Sequence, residues 1–394
     1  MFDKLKEQPK DKILHLSSLF RADERPTKID LGVGVYKNAD GITPIMRSVK
    51  AAEQTLWQAE NTKTYTSLPG QADFHRVMHE LVLGDEIDPA RVAYCATPGG
   101  TGAVHHIVEL IAQNSPDATV WFSNPTWGNH LTISKHVGAK PAQYRYFDDE
   151  TCTVDFEAMK GDLSKIKSGD VVCLHGCCHN PTGANLTQAQ WHEISDLLSN
   201  KGAIPFIDIA YQGFGDGLVE DAFGTRLLAQ NFENMFIAAS CSKNFGIYRE
   251  RTGIVMAICK NPEQQALVQG NLNHLNRQNF SFPPDHGASV VTLILRDPEL
   301  KKMWEDELSE MRVSMLDIRE KFAAALNREA GSNRFGFIAE HRGMFSRLGA
   351  TEEMVEKLRL NQGIYMISDS RVNIAGITED KIDTIAKACI DIGM

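Results

Sequence analysis

Lys243 lies in the string Ser240-Cys241-Ser242-Lys243-Asn244-Phe245-Gly246, directly after the apolar run Met235–Ala239, and Arg251 follows close behind. A positive charge on a short Ser-rich turn at a strand's end is a costly place for a bystander. It makes sense if the amine is a reagent, because desolvation or neighbouring cations lower a lysine's pKa and make it a nucleophile toward carbonyl carbon. Ser240, Ser242 and Arg251 add hydroxyls, turn amides and a guanidinium, the donors that a phosphate needs. An isolated lysine of this kind is more often a surface residue in a strand-to-helix loop. The other strings along the chain argue against that here.

Pro98-Gly99-Gly100-Thr101-Gly102 follows a strand-like run and opens a helical one. Its glycines let backbone amides close on an anion at a helix N-terminus. The same turn could serve plain packing or a nucleotide, although the order does not fit Gly-x-Gly-x-x-Gly. Asp208 and Tyr211 end the apolar run Phe206–Ile209. Asp208 can stabilise a protonated ring nitrogen or cap the next helix, and the Tyr211 phenol can bond a phenolate oxygen. Asn124-Pro125-Thr126-Trp127 and His175-Gly176-Cys177-Cys178-His179-Asn180-Pro181-Thr182-Gly183 both end strand-like runs in an Asn-Pro turn. Trp127 can lie flat on an aromatic cofactor or fill a core. Asn180 can be aimed into a site by its turn. The paired histidines and cysteines raise zinc, but adjacent cysteines do not readily face one metal and no second ligand pair follows, so no metal is expected. Arg277 and Arg371 are candidates for carboxylate binding, though isolated arginines are usually solvated.

These residues need a scaffold that brings strand ends together. Apolar runs recur at Arg91–Ala96, Thr119–Ser123, Val171–His175, Ile204–Asp208, Met235–Ala239 and Gly253–Cys259, with amphipathic stretches such as Gly102–Gln113 and Gln188–Ser199 between them. This alternation predicts a layered α/β domain with a mostly parallel sheet, whose ligands gather beyond the carboxyl ends of the strands. Leu300–Asn327 carries Trp304, Leu308, Met311, Met315, Ile318 and Phe322 at helical spacing and predicts one long helix. Short strands at Phe335–Ala339, Met344–Leu348, Ile364–Ile367 and Arg371–Ile374, with helices near Glu352–Leu360 and Glu379–Asp391, predict a smaller α+β unit. Residues 15–40 join it.

The 394 residues suffice for two domains, and 42% apolar with 23% charged residues is a globular balance. A net charge of −10 argues against a general nucleic-acid or membrane-surface binder. Eight scattered cysteines show no disulfide or zinc spacing, and neither a secretion signal nor a membrane span is evident, so a cytoplasmic protein is expected.

In combination the strings closely resemble the class I pyridoxal-phosphate aminotransferases of fold type I, in the aspartate/aromatic branch. The match runs from Gly32-Val33-Gly34-Val35-Tyr36-Lys37 through Thr62–Tyr65, Pro98–Gly102, Asn124–Trp127, His175–Gly183, Asp208–Phe214 and Ser240–Gly246 to Arg371–Gly376. The resemblance implies a large domain (44–311) with a mostly parallel seven-stranded sheet between helices. A smaller α+β domain (15–43 and 312–394) and an N-terminal arm (1–14) complete it. It further implies that Lys243 bonds pyridoxal 5′-phosphate covalently and moves the substrate's proton. Asp208, supported by His130, would pair with the ring nitrogen, Tyr211 and Asn180 with the ring's 3-oxygen, and Trp127 would stack on the ring. Gly100, Thr101, Ser240, Ser242 and Arg251 would hold the phosphate, with Tyr65 reaching in from the other subunit of a homodimer. Arg371 would clamp the substrate α-carboxylate near Gly34, and Arg277 of the other subunit would bind a distal carboxylate. The expected reaction is ping-pong amino transfer between amino acids and 2-oxo acids, with 2-oxoglutarate as acceptor.

Aspartate-specific relatives commonly have Asn before the Pro-Pro pair that here reads Phe282-Pro283-Pro284. Gly128 and Arg347 also depart from the common pattern. Phe282 removes a polar anchor, which favours dual use: acidic substrates pair with Arg277, while Phe, Tyr or Trp displace its head. A strictly aspartate-specific aminotransferase is the near alternative. A nucleotide-dependent dehydrogenase using Pro98–Gly102 is the distant one, and it leaves Lys243, Asp208 and Tyr211 without roles.

Overall fold

The computed structural model describes residues 2–7 and 11–394. By internal contacts the chain divides into two compact units. The larger comprises Thr43–Ser314 and His341–Gly343; the smaller comprises the described residues up to Ile42, Met315–Glu340 and Met344–Met394.

The larger unit is built on a seven-stranded sheet. Its strands are β1 (Val92–Pro98), β2 (Thr119–Asn124), β3 (Lys140–Arg145), β4 (Val171–His175), β5 (Ile204–Ile209), β6 (Met235–Ser240) and β7 (Thr252–Ile258), in the order β1-β7-β6-β5-β4-β2-β3. All pairings are parallel except those of β7, which runs antiparallel to both neighbours. The central strands are continuous apolar runs because helices cover both faces, and every residue of β7 is buried. Helix α1 (Gly99–Asn114) places Val104, Ile107, Val108 and Ile111 in one core cluster with Phe122, Phe206 and Val255. The run Arg91–Ala96 extends to Pro98, directly before this helix.

Strand β3 is absent from the apolar pattern. It is an edge strand in which five of six residues are partly buried or exposed and only Tyr144 is buried, and it opens on Lys140-Pro141. Register brings the chemistry together: His175 pairs with Asp208, and Asp208 with Ala238, so three parallel strands end side by side.

In the smaller unit, Phe322, Leu326, Ile338, Val372, Ile374, Ile385 and Cys389 form a core with Ile29 and Leu31. Ile29–Asp30 pairs with Ile364–Tyr365 in parallel, and Phe345–Arg347 with Arg371–Asn373 antiparallel. The strand expected over Phe335–Ala339 is instead a turn leading into a short helix, Phe337–Glu340. The amides of Ile338 and Ala339 bond locally, to the carbonyls of Phe335 (3.1 Å) and Gly336 (3.1 Å), rather than to a strand partner. The helix expected over Glu352–Leu360 is α-helical only to Lys357 and widens into a π turn that closes at Gly363, φ 71°.

The long helix spans Pro298–Ala330 and starts on Asp297, whose side chain accepts from the amides of Glu299 (2.9 Å) and Leu300 (3.0 Å). The division between units falls within it, at Ser314/Met315, rather than at 312. His341–Gly343 belongs with the larger unit because the Arg342 amide donates to Gly183 (2.9 Å) and His341 bonds the Cys152 carbonyl (3.0 Å). Of the arm expected over 1–14, Met1 and residues 8–10 lie outside the described residues; helix Lys12–Ala22 begins inside its span. Among the described residues no helix is long and apolar enough to cross a membrane.

Candidate functional site

Lys243 follows β6 and is half-buried. Its Nζ sits 4.8 Å from the centroid of the Tyr211 ring. Burial pushes its pKa down to about 8; the Asp208 carboxylate works against this shift and the Arg251 guanidinium reinforces it. The amine is therefore far more often neutral near physiological pH than an ordinary lysine. Asp208, at the end of β5, has a side chain only 11% exposed. Burial alone would raise its carboxyl, but the hydrogen bond from His130 and the charge of Lys243 outweigh it and hold the pKa below the ordinary value.

A chain of hydrogen bonds runs back from Asp208. His130 Nε2 lies 2.9 Å from Asp208 Oδ2, and His130 Nδ1 lies 2.8 Å from Thr126 Oγ1. Thr126 Oγ1 is in turn 3.2 Å from His175 Nε2, and the Asn180 amide points at His175 Nδ1 from 3.4 Å. A backbone amide can only donate, so His175 Nδ1 accepts and its proton sits on Nε2. That proton goes to Thr126, and His130 Nε2 donates to the Asp208 carboxylate. Burial pushes His175 down to about 3, which keeps it neutral in this arrangement. One amide thus fixes the tautomer at the far end of the path.

The Pro98–Gly102 turn and the Lys243 loop face each other. A Cβ at Gly99, where φ is +71°, would lie 2.6 Å from Arg251 Nη2, and one at Gly100 would lie 2.9 Å from Ser240 Cβ. Only glycines allow this approach. Arg251 itself sits at φ 54° and donates through Nη1 to Ser242 Oγ (3.3 Å) and the Tyr248 carbonyl (3.2 Å). Helix α1 has no side-chain N-cap, which leaves the first-turn amides around Thr101 open to an anion.

Both Asn124-Pro125 and Asn180-Pro181 are cis. Asn180 Nδ2 lies 3.5 Å from the Tyr211 hydroxyl, and Trp127 crosses His130 edge-on at 5.3 Å. His179 is not directed at a metal: its ring nitrogens meet Ser123 Oγ (2.9 Å) and Thr182 Oγ1 (2.8 Å). The thiols of Cys177 and Cys178 do turn the same way, with Cys178 at φ 50°, and lie with an Asp221 oxygen within 4.8 Å of one another. Both Asp221 oxygens, however, accept backbone amides, from Gly213, Gly215 and Asp216.

In the smaller unit, Arg371 is buried and follows Ser370 at φ 65°. Its Nη2 donates to the Gly32 carbonyl (2.9 Å) and its guanidinium lies 4.3 Å from the Phe345 ring centroid. Asn373 Nδ2 holds the carbonyls of Val33 (2.7 Å) and Val35 (2.8 Å). A Cβ on Gly34 would lie 2.6 Å from the Phe345 ring. Arg319, fully buried, fixes that platform by donating to the carbonyls of Ile338 and Phe345 and to Ser346 Oγ.

Tyr65 and Arg277 gather around Phe282. Tyr65 is 81% exposed and stacks on Phe282 at 4.9 Å. The Arg277 guanidinium lies 5.9 Å from the same ring and bonds Ser281 Oγ.

The sequence matches the aminotransferase class I and II family over residues 26–389. The chain belongs to that family. An aromatic-amino-acid aminotransferase of Paracoccus denitrificans is 55% identical over 394 residues, covering 100% of both chains. An aspartate aminotransferase of Salmonella typhi is 42% identical over 393 residues, covering 99% of each. Among solved structures, an aromatic-amino-acid aminotransferase from Burkholderia pseudomallei, covalently bound to pyridoxal phosphate, superposes with a TM-score of 0.96 at 37% identity, covering 100% of this chain and 99% of that one. Aminotransferase membership displaces the dehydrogenase alternative. The sequence strings nominated neither Thr126 and His175 as orienting groups nor Phe345, Asn373 and Arg319 as supports for Arg371. Thr126 and His130 are four apart on one turn, which was a visible signal; the link to His175 depends on strand register.

Proposed function

We propose that this aminotransferase carries pyridoxal 5′-phosphate on Lys243 and moves amino groups from aspartate and from Phe, Tyr or Trp to 2-oxoglutarate. One observation carries the reading. A lysine whose pKa is lowered to about 8 by burial sits in the field of an oriented carboxylate, beside an uncapped helix start and an arginine–serine cradle. The cradle suits a phosphate, since added side chains at Gly99 or Gly100 would fill it. The Asp208 carboxylate suits a protonated ring nitrogen.

When bound, the cofactor supplies an electron-withdrawing ring that takes up the electron pair left when the substrate's Cα–H bond breaks. The chain's own residues do the rest. Gly100, Thr101, Ser240, Ser242 and Arg251 hold the phosphate. Asp208, with its charge oriented by His130, keeps the ring nitrogen protonated. Asn180 and Tyr211 donate to the ring's 3-oxygen, and Trp127 covers the ring face. The Lys243 amine, neutral often enough to act as a base, accepts the Cα proton and returns it one position away. Arg371 grips the α-carboxylate beside Gly34 through a planar, two-pronged guanidinium.

The protein acts as a homodimer in which Tyr65 and Arg277 serve the partner's site. Their exposure and their grouping around Phe282 support this. A cytoplasmic location fits eight buried cysteines, none of them in a disulfide. Steady-state kinetics on the purified protein, with a panel of amino donors and 2-oxoglutarate, test the substrate reading. Aspartate and phenylalanine are both expected to turn over. Phenylalanine rates several orders of magnitude below aspartate rates would restrict the enzyme to acidic donors.

A further inference from the structure

Cys177 and Cys178 follow strand β4, between His175 and Asn180, and both are buried. Neighbouring side chains on an extended chain point to opposite sides. Cys178, however, adopts φ 50°, so the backbone turns back and its thiol comes to the same side as that of Cys177. Gly343 holds this turn from behind: it sits at φ 79°, and a Cβ there would lie 2.4 Å from Cys178 Cβ.

The two thiols converge on Asp221, and the ligand atoms of all three residues lie within 4.8 Å of one another. A carboxylate offers about four lone-pair positions. Three are taken by amides, those of Gly213 (2.8 Å) and Gly215 (2.8 Å) on Oδ2 and that of Asp216 (2.9 Å) on Oδ1. One position on Oδ1 is left. Burial raises the Asp221 pKa, and the charge acting on it is that of a second carboxylate, Asp216, rather than of a cation. A cavity of about 270 Å³ opens beside the cluster, lined by Cys177, Asp221, Trp191, Asp216 and Glu220 among others. Its acidic side chains favour entry of a cation.

We infer that Cys177, Cys178 and Asp221 form a binding site for one thiophilic divalent cation, zinc or cadmium in type, and that its occupancy inhibits the enzyme. Two sulfurs and an oxygen are a zinc-type donor set, and the cavity leaves room for water as the fourth ligand. Tetrahedral bonds of about 2.3 Å to sulfur place ligand atoms about 3.7 Å apart, a spacing that small side-chain rotations reach. The Cys178 hydrogen bond, burial and the Asp221 charge keep the Cys177 thiol protonated at rest. An entering cation therefore displaces both thiol protons to water and leaves two thiolates on the metal.

Inhibition follows from what else these residues hold. Cys177 also takes a backbone hydrogen bond from Tyr211, and Asn180 stands two residues beyond Cys178 with its amide on His175 (3.4 Å). A metal on the Cys177 sulfur competes with the Tyr211 bond and ties the turn to Asp221. Tyr211 and Asn180 then lose their placement against the ring's 3-oxygen. The inhibition rests on the cofactor reading above; the binding does not.

Cadmium binding to the holoenzyme and its Cys177→Ala and Cys178→Ala variants tests the site, read by equilibrium dialysis and by the ultraviolet cadmium–thiolate band. One cadmium per chain is expected, with that band. Each substitution should weaken binding about 100-fold or more, since a lost ligand costs more than a lost supporting group, while metal-free turnover stays near wild type. Saturating cadmium should lower wild-type turnover about 10-fold, the scale of one hydrogen bond to a charged group, and shift the cofactor's visible band. Both variants should escape these effects. The absence of a thiolate band, or cadmium held equally by both variants, would overturn the site. Cadmium on the thiolates with turnover and visible band unchanged would overturn the inhibition. A metal-free wild type without transaminase activity would overturn the cofactor reading instead and leave the binding result standing.

Discussion

Asp208 is a carboxylate whose direction is set three residues away. The Asn180 amide at the far end of the His175–Thr126–His130 path cannot accept, so it fixes the His175 tautomer and turns that proton toward Thr126. Thr126→Val keeps the shape and removes the link, so His130 Nδ1 loses its hydrogen-bond partner. We expect cofactor to remain bound and kcat to fall about 10-fold, the usual cost of an orphaned buried partner, with Thr126→Ser restoring most of it. Unchanged kcat in Thr126→Val would remove the path from the mechanism. Lys243 offers a second test. Its pKa of about 8 lies below the ordinary 10.5, so between those values the unfolded chain holds a proton that the folded chain has released. Cofactor-free protein should therefore gain stability as pH rises through that window, the cost of burying the charged amine being largest below it. Its rate of cofactor uptake should climb with pH and level off just above 8. A rate still climbing toward 10.5 would mark an ordinary lysine.

Among elements, the closest approach in the site lies between β7 and the start of α1. A Cβ on Gly253 would lie 2.4 Å from the Gly99 carbonyl carbon and 2.8 Å from the Gly100 nitrogen, both backbone atoms that cannot swing aside. Gly253→Ala should destabilise the fold by about 1–3 kcal/mol and weaken phosphate binding, because the first-turn amides must shift. Denaturant midpoints and cofactor affinity, measured together, check this; a variant unchanged in both would contradict it. The same elements show what sequence could reveal. Central strands announce themselves because burial on both faces leaves only apolar residues, and Val171–His175 is bounded by sequence as it is in the structure. Edge strand β3 does not, since one side meets solvent. The run Phe335–Ala339 misleads because a short apolar stretch fits a strand or a turn, and only local hydrogen bonding decides between them. Candidate site residues are legible where a glycine, a cis-prone Asn-Pro or a charge stands at a strand end. Supports such as Arg319 are not, because their partners, two carbonyls and the Ser346 hydroxyl, carry no sequence signature.

For the whole molecule, the proposal places each active site across two chains. Mixing Lys243→Ala with Arg277→Leu protein tests that arrangement after the subunits are allowed to exchange. Each parent should be poor with aspartate, one for want of the amine and the other for want of the distal cation. In a hybrid dimer one of the two sites regains both groups, so random pairing should restore about a quarter of wild-type aspartate turnover. No recovery above the sum of the parents would place Arg277 and Lys243 in the same chain's site. A single bond underlies all of this chemistry. Borohydride reduction of the holoenzyme followed by peptide mapping should leave the cofactor fixed on Lys243, in the peptide that contains Ser240–Gly246. A label on another lysine, or none, would contradict the account.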